Sequence, residues 1–398
     1  MTPSPLHVAA RPARPRRRVP RLVLAPLMLL VAACGEGSRD AITTPAAPQA
    51  ADIAWLWWVS LGLGTLVYVA VMVLLVVPLL RNRRRRRLGL AETDVEQGTP
   101  VAAGRRGPRA PGDIVDEPIL TADPELADES RRDEGLRSQL LWWGGIILPA
   151  IILIFLLIAS SRVGARTAHV AADDELVIDV TGHMFWWEVE YPELGIITAN
   201  EIAVPTGQHV RLRLTTDDVI HSFWIPRLHG KIDMIPGTEN WLSFTAEETG
   251  FFRGNCAEFC GIAHAQMVAY VEAMEPDDFD AWVAEQSAPP VGAEEAADTE
   301  GERLFLQVGC ADCHAVTGTN AVGAVGPDLS HLASRQMLAG GIVPNTRENL
   351  AELIVDPWGL KPGNPMPPTE LTEDELDALL DYLETLSADG AQRMEGDR

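Results

Sequence analysis

The chain of 398 residues is longer than one ordinary domain, and its 47% hydrophobic content is compatible with globular domains joined to a membrane segment. Its formal net charge is -24 at pH 7, with basic residues crowded before Arg87 and acidic residues abundant in the C-terminal half. This separation argues against nucleic-acid binding and favours an exposed acidic region with cationic protein partners.

The N-terminal segment has the layout of an export signal. Arginines precede a short apolar run, which ends in small residues before Cys34. The segment resembles a bacterial lipoprotein signal with "VAAC" as its lipobox. That resemblance implies that residues 1–33 are removed and that Cys34 carries lipid on the outer face of the membrane; an ordinary signal peptide with a free cysteine is the alternative. Residues 34–52 are predicted to form an outer linker.

Two apolar runs predict a transmembrane hairpin. Residues 53–80 carry no charge and exceed the ~20 residues that cross a ~30 Å hydrocarbon layer. The run "RNRRRRR" that follows predicts a cytoplasmic end by the positive-inside rule. A second span is predicted over 140–160, so everything beyond it lies outside. Residues 81–139 are polar and lack periodicity, which predicts a largely disordered cytoplasmic loop.

The region beyond the hairpin changes character twice. Short β-branched runs punctuated by Gly and Pro predict an antiparallel sandwich or small barrel over residues 169–284. An Ala-, Pro- and Glu-rich linker is predicted at 285–299. Amphipathic helical periodicity then predicts an all-α domain over 300–388, followed by a tail at 389–398.

The β region holds a compact set of metal-binding residue types. Cys256 and Cys260 precede His264 and Met267 on one short segment, and His221 is predicted to stand at the end of an earlier strand. In an exported domain, two nearby thiols first suggest a disulfide. A Cys₂His₂ zinc site would leave Met267 without a role. Two thiolates, two imidazoles and a thioether suit copper, and the second cysteine indicates a pair of ions bridged by sulfur. Copper is favoured, with zinc and a disulfide left open.

The segments "HSFWIPRLHGKIDMIPG" and "GNCAEFCGIAHAQM" resemble the dinuclear copper domain of cytochrome c oxidase subunit II, a cupredoxin-like Greek-key barrel. The resemblance implies that Cys256 and Cys260 bridge the coppers. His221 and Met267 would complete one ion, and His264 with the backbone carbonyl of Glu258 the other. The Glu258 side chain would bind a magnesium ion shared with subunit I, since a hard carboxylate suits that ion.

The segment "TGHMFWWEVEYP" resembles the aromatic stretch through which family members receive electrons, which makes Trp186 and Trp187 weak candidates for that role. The chain departs from the common family form, with Met184 where Gln stands and Phe185 where Trp stands. Near the start of the second span, Trp142 stands where many members place a proton-conducting Glu. No proton role is therefore carried over.

The all-α region contains "VGCADCHAVTG", a C-x-x-C-H sequence of the kind that attaches c-type haem. Cys310 and Cys313 would form the thioethers and His314 the proximal ligand. Met366 in "KPGNPMPP" supplies a second axial ligand, and the region resembles a class I cytochrome c. His/Met ligation leaves no open site for oxygen, which indicates an electron carrier. His331 is interpreted as a surface or core residue.

Together the parts resemble subunit II of a caa3-type haem–copper oxidase in a bacterial inner membrane, with its copper and haem domains on the periplasmic side. The resemblance implies that an external cytochrome c or a quinol–cytochrome c oxidoreductase reduces the haem, and that subunit I, alongside other oxidase subunits, reduces oxygen and pumps protons. A free-standing membrane-tethered shuttle would use the same ligands, although a lipid anchor alone could hold it. A copper-delivery or redox-sensing protein would leave the fused haem unexplained.

Overall fold

The computed structural model of the protein describes residues 41–87, 134–168, 175–290, 293 and 299–387. The predicted signal segment, Cys34, most of the loop between the two apolar runs and the tail at 389–398 lie outside the described residues.

Two long apolar helices form the N-terminal part. Helix α1 spans Pro48–Arg87, and helix α2 spans Glu134–Thr167 with a π-helical stretch over Leu140–Ile147. The two helices pack against each other, and most of their apolar side chains are exposed. A solvent-exposed apolar surface of this length is stable only in a lipid environment. Both helices extend beyond the 53–80 and 140–160 spans that hydropathy predicts.

The β domain, residues 175–290, consists of ten strands in two five-stranded sheets. One sheet has the order β3-β2-β1-β5-β8 and the other the order β4-β10-β9-β6-β7. The strands are β1 Leu176–His183, β2 Trp186–Tyr191, β3 Ile196–Ala199, β4 Glu201–Pro205, β5 Val210–Thr216, β6 His221–Trp224, β7 Ile232–Met234, β8 Asn240–Phe244, β9 Gly250–Cys256 and β10 Val268–Met274. Pairs β1–β5 and β4–β10 run parallel, which strand alternation alone does not predict.

The alternating pattern of the strands produces the core of the β domain. Strands β1 and β5 bury every second residue, so Ile178, Val180, Leu212 and Leu214 face inward with no exposed area. The two inner faces meet in one hydrophobic cluster. Helix α3, Pro276–Ser287, closes the domain and begins with a proline at its first position.

The N-terminal approach to α1 is attached to the β domain. The amide of Ala46 donates to the carbonyl of Arg227 (2.8 Å), and the amide of Glu247 donates to the carbonyl of Ala46 (2.9 Å). Ala46 and Ala47 are buried in the β-domain core cluster. The β domain is therefore held directly at one end of the membrane hairpin.

The C-terminal domain, residues 299–387, is mainly helical, with helices α4 Glu300–Gln307, α5 Arg347–Val355, α6 Pro357–Leu360 and α7 Glu373–Glu384. A short two-stranded ladder pairs β11, Met337–Leu338, with β12, Val343–Pro344. Helices α4 and α7 cross closely at Gly301, where a Cβ would collide with the backbone of Ala378. Thr372 caps α7 in a reciprocal capping box with Glu375. The structure thus confirms the predicted architecture of apolar hairpin, β domain and helical domain.

Candidate functional site

The first candidate site lies at one end of the β domain, where three segments converge. His221 opens β6, so the prediction that it ends a strand was wrong, and Cys256 closes β9. These two strands are paired with Phe223 opposite Cys256. The loop from Ala257 to Ala263 carries Cys260, and Met267 directly precedes β10. The antiparallel pairing therefore brings residues 35 positions apart into contact, while loop 257–267 folds the remaining donors over them.

The sulfur and nitrogen atoms of this cluster are mutually close. The Sγ atoms of Cys256 and Cys260 are 3.9 Å apart, and both cysteines are free thiols. Cys256 Sγ lies 3.8 Å from His221 Nδ1. Cys260 Sγ lies 3.7 Å from His264 Nδ1 and 3.8 Å from Met267 Sδ. Among the described residues, His221, Cys256 and Cys260 also offer ligand atoms that all lie within 4.8 Å of one another.

The backbone of the loop supplies a further donor atom. The carbonyl oxygen of Glu258 lies 3.2 Å from Cys256 Sγ, whereas the Glu258 side chain is exposed. The cluster thus brings together two cysteine sulfurs, two imidazoles, one thioether and one carbonyl oxygen. The two cysteine sulfurs are not joined by a disulfide bond. A soft donor set of this kind fits copper.

The electrostatics of the cluster favour a deprotonated thiol. The hydrogen bond between the two thiols, together with His221, lowers the pKa of Cys256, and the same contact raises the pKa of Cys260. Burial alone would lower the pKa of His221, but hydrogen bonds to Cys256 and Asp218 raise it. A thiolate and a polarised imidazole in a shielded pocket are ready to bind a metal cation.

Two neighbours orient the His221 ring. Asp218 Oδ1 lies 2.8 Å from Nε2, which leaves Nδ1 directed at the sulfurs. A carboxylate on the far nitrogen of a metal-binding histidine fixes its tautomer and orientation. Gly182 faces the same ring, because a Cβ there would lie 3.0 Å from Cδ2. Sequence reasoning missed Asp218, although its position three residues before His221 was a usable signal.

The second candidate site lies in the C-terminal domain, immediately after α4. Gly309 has a φ of 92°, which allows the chain to turn into the 3₁₀ turn Cys310–Asp312. His314 Nδ1 lies 2.7 Å from the carbonyl oxygen of Pro327 and donates to it, so Nε2 keeps its lone pair. Burial lowers the pKa of His314, which keeps the imidazole neutral, as iron ligation requires.

A large apolar cleft adjoins this histidine, with an empty volume of about 1250 Å³ including the part open to solvent. Its walls include both thiols of the C-x-x-C-H sequence, His314 and Met366, together with apolar side chains of α4, α5 and α7: Phe305, Leu350, Leu353, Ile354, Leu379 and Leu383. A covalently attached macrocycle with His and Met axial ligands fits this lining. His331 is buried but does not line the cleft.

The two sites share a wall made of aromatic residues. Phe185 and Trp186, which belong to the β domain, line the cleft of the C-terminal domain. The Phe185 ring also faces Gly261, next to Cys260, since a Cβ at Gly261 would lie 2.9 Å from it. Trp187 is fully buried on the other side, with its ring centroid 5.8 Å from that of His221. The segment 185–187 therefore contacts both the cleft and the sulfur cluster.

Comparisons with known proteins agree with both sites. The family model "Cytochrome C oxidase subunit II, periplasmic domain" matches residues 194–274, and the model "Cytochrome c" matches residues 299–387. Cytochrome c oxidase subunit 2 of Alkalihalophilus pseudofirmus is 38% identical over 246 residues, 60% of this chain and 71% of the relative. The Bacillus subtilis protein of that name is 35% identical over 275 residues, 64% of this chain and 76% of the relative.

Among solved structures, the periplasmic domain of subunit II of cytochrome oxidase from Bradyrhizobium japonicum is 34% identical and covers 29% of this chain and 94% of that chain, with a TM-score of 0.28. Sequence relatives and family models together assign the copper-binding and haem-binding domains of a membrane subunit that transfers electrons within a haem–copper oxidase. The chain therefore belongs to the cytochrome c oxidase subunit 2 family and carries a cytochrome c domain fused at its C-terminal end.

Proposed function

We propose that the chain accepts electrons from an external donor through haem c and a dinuclear copper centre and passes them to subunit I of a caa3-type oxidase. Oxygen reduction coupled to proton pumping takes place in that partner. The external donor is a cytochrome c or a quinol–cytochrome c oxidoreductase. The observation that carries the proposal is the shared aromatic wall, because residues 185–187 contact both the haem cleft and the residues of the copper site.

In the proposed copper centre, Cys256 and Cys260 bridge both ions. His221 and Met267 complete one ion, and His264 with the carbonyl of Glu258 completes the other. The separations of 3.2–3.9 Å between neighbouring donor atoms support this assignment, since ions seated between them would reach several donors at once. The thioether of Met267 favours copper over zinc.

In the proposed haem site, Cys310 and Cys313 hold the porphyrin covalently, and His314 and Met366 are the axial ligands. The hydrogen bond from His314 Nδ1 to Pro327 orients the ring so that Nε2 is the ligating atom. A glycine at position 326 is required for this, because a Cβ there would lie 2.5 Å from His314 Cε1. Haem and copper, when bound, supply the one-electron redox chemistry, and the chain supplies position and shielding.

The aromatic segment provides two short connections between the sites. Trp186 lines the cleft and Trp187, the next residue, contacts His221. Phe185 lines the cleft and faces Gly261, the neighbour of Cys260. We infer that electrons pass between the two sites through residues Phe185–Trp187. Trp186 and Trp187 remain candidates for electron transfer, and Phe185, which stands where the family commonly has Trp, is a third.

Three further roles belong to this proposal. The exposed Glu258 carboxylate binds magnesium at the contact with subunit I, which its outward position supports. The β domain and the C-terminal domain lie on the periplasmic side of the inner membrane, which the basic run at the C-terminal end of α1 supports. Cys34 is the lipidated first residue of the mature chain.

The ligand assignment is tested by a Cys260→Ser variant of the full chain, produced in its oxidase. We expect loss of the delocalised copper signal in paramagnetic resonance, while the absorption of the attached haem persists. Cys310→Ser with Cys313→Ser is the matched control and should remove the haem with the copper signal retained. Loss of both centres in Cys260→Ser, or zinc without copper in the purified wild-type chain, would contradict the proposal.

A purification experiment separates the oxidase from a free-standing shuttle. Membranes are solubilised in mild detergent, and the chain is followed through size separation together with oxygen uptake. Co-migration with a larger multi-haem subunit and with oxygen uptake supports the oxidase. A single monodisperse chain that retains haem and copper would support the shuttle instead.

A further inference from the structure

The C-terminal domain sits on the β domain through a set of directed polar contacts around the haem cleft. On one side, Glu201 of β4 accepts hydrogen bonds from the amides of Gln336 (3.0 Å) and Met337 (2.7 Å). On the other, the amide of Val268 donates to the carbonyl of Gly340 (3.0 Å). These contacts link β4 and β10 of the β domain to the segment that includes β11.

Lys361 is the most unusual member of this contact. Its side chain is buried, with 3% of its area exposed, and its ammonium donates to the carbonyl of Phe185 (2.7 Å) and to that of Ala339 (2.9 Å). Phe185 belongs to the β domain and Ala339 to the C-terminal domain, so one ammonium joins both. Within the described part of the chain, no salt bridge involving Lys361 is found.

Burial of a lysine side chain costs free energy, so its presence at the domain contact indicates a structural role. Burial lowers the pKa of Lys361 to about 7, because the charged form loses its hydration. The chain contains only two lysines in 398 residues, and the other, Lys231, is exposed. Lys361 also begins the loop that carries Met366, and Gly363 of that loop packs on Ile262 of the copper-site loop.

We propose that Lys361 and Glu201 form a two-point latch that holds the C-terminal domain against the β domain in one orientation, with the haem cleft facing Phe185 and Trp186. Lys361 is then a positioning residue for electron transfer between the two sites. The role of the latch in electron transfer rests on the proposed function. The latch itself consists of contacts within the protein and does not depend on that function.

The latch predicts a long-range effect on amide exchange. In Lys361→Met, the amides of Gln336, Met337 and Val268 lose protection whenever the domains separate, although the hydrogen bonds of Lys361 go to Phe185 and Ala339. We expect their hydrogen exchange to accelerate about tenfold, the equivalent of losing roughly one hydrogen bond to a charged group. Amides within α5 and β5, inside each domain, should exchange as in the wild-type chain.

The measurement uses the full chain in its oxidase, with hydrogen–deuterium exchange read from peptides that cover residues 267–270 and 336–341. Arg303→Met is the matched control, since Arg303 is an exposed cation on α4 that pairs with Glu300 and lies away from the contact with the β domain. Glu201→Ala approaches the same latch from the β domain and should accelerate exchange of Val268 as well. This second variant keeps the inference testable should Lys361→Met fail to accumulate.

The functional readout is the rate of the single electron step between haem and copper after rapid photochemical reduction of the haem. We expect Lys361→Met to slow this step while leaving reduction of the haem by a small external reductant unchanged. Unchanged exchange at Val268 in both variants, with haem and copper intact, would overturn the latch. Absence of copper or haem from the wild-type chain would instead overturn the proposed function and leave the exchange result standing.

Discussion

The two candidate sites are built in opposite ways. In the β domain, the donor atoms already touch one another, and a complete hydrophobic core supports them from behind. In the C-terminal domain, the candidate ligands His314 and Met366 line an apolar cleft that is bordered by side chains of α4, α5 and α7. One fold is complete without its cofactor. The other leaves a large part of its apolar surface uncovered.

This difference reflects how each site obtains its stability. Strand pairing fixes His221 and Cys256 through the backbone, so metal binding adds to an existing arrangement. The cluster at the centre of the C-terminal domain is small, and several of its members face the cleft. A small helical domain with such a cleft depends on the cofactor to complete its core.

Removal of the haem attachment should have the largest effect on the difference in stability between the two domains. In Cys310→Ser with Cys313→Ser, we expect the C-terminal domain to lose its cooperative unfolding transition, because the cleft stays uncovered. The β domain should unfold at its usual temperature. Calorimetry of the full chain resolves the two transitions. A C-terminal transition that persists near its original temperature would show that this core is complete without the haem.

Gly326→Ala should produce the next largest effect. The new Cβ would lie 2.5 Å from His314 Cε1, so the ring must rotate or shift. We expect weakened axial ligation, visible as altered haem absorption, and a loss of roughly 1–3 kcal/mol in the stability of the C-terminal domain from overpacking. Gly318→Ala is a contrasting variant at a glycine with a φ of 85°, where strain acts on the backbone alone. An unchanged haem spectrum in Gly326→Ala would contradict the orientation assigned to His314.

The contrast also explains which parts of the molecule could be predicted from the sequence. Most donor residues of each site stand in one short segment, so His264 and Met267 beside the two cysteines were visible without a structure, whereas His221 and Met366 lie far from their partners in the chain. The parallel pairings β1–β5 and β4–β10 were not, since alternation sets which face is buried and not which strand is the neighbour.

The contact between the domains could not be predicted from the sequence, because its residues are far apart in the chain. Glu201 and Gln336 are 135 positions apart, and Lys361 and Phe185 are 176 apart. A lone glutamate on a strand and a lone lysine before a proline carry no pattern that distinguishes an interface from solvent. The scarcity of lysine in the chain was the one signal that could have drawn attention to Lys361.

The pH dependence of the domain contact gives a moderate effect. Burial raises the pKa of Glu201 to about 7, despite its hydrogen bonds to the amides of Gln336 and Met337 and the attraction of Arg335. Docking of the two domains therefore favours the protonated form of Glu201. The stability that Glu201 contributes to the contact is fully present below pH ~4.5 and is lost as the pH rises through 7. In Glu201→Gln, which stays neutral, this part of the pH dependence should disappear.

The difference between wild-type and Glu201→Gln stability across pH 4.5–8 checks this prediction, with an upper limit of about 3 kcal/mol set by the shift in pKa. Taking the difference removes the contributions of other groups that titrate in the same range, including His331 at the same contact. Glu300→Gln, at an exposed pair on α4, is the control that should leave the curve unchanged. Parallel curves for wild type and Glu201→Gln would mean that burial does not raise the pKa of Glu201.

The smallest predicted effect comes from the cap of α7, the helix that supplies Leu379 and Leu383 to the wall of the haem cleft. Thr372 Oγ1 accepts from the amide of Glu375, and the Glu375 carboxylate accepts from the amide of Thr372 (2.9 Å). Thr372→Ala removes one half of this box and should destabilise the C-terminal domain by about 1 kcal/mol. Because helix ends and cofactor contribute to the same cooperative unit, the loss should lower only the C-terminal transition in calorimetry. A shift of the β-domain transition as well would show that the two domains unfold as one, and the contrast between a complete fold and a cofactor-dependent one would have to be abandoned.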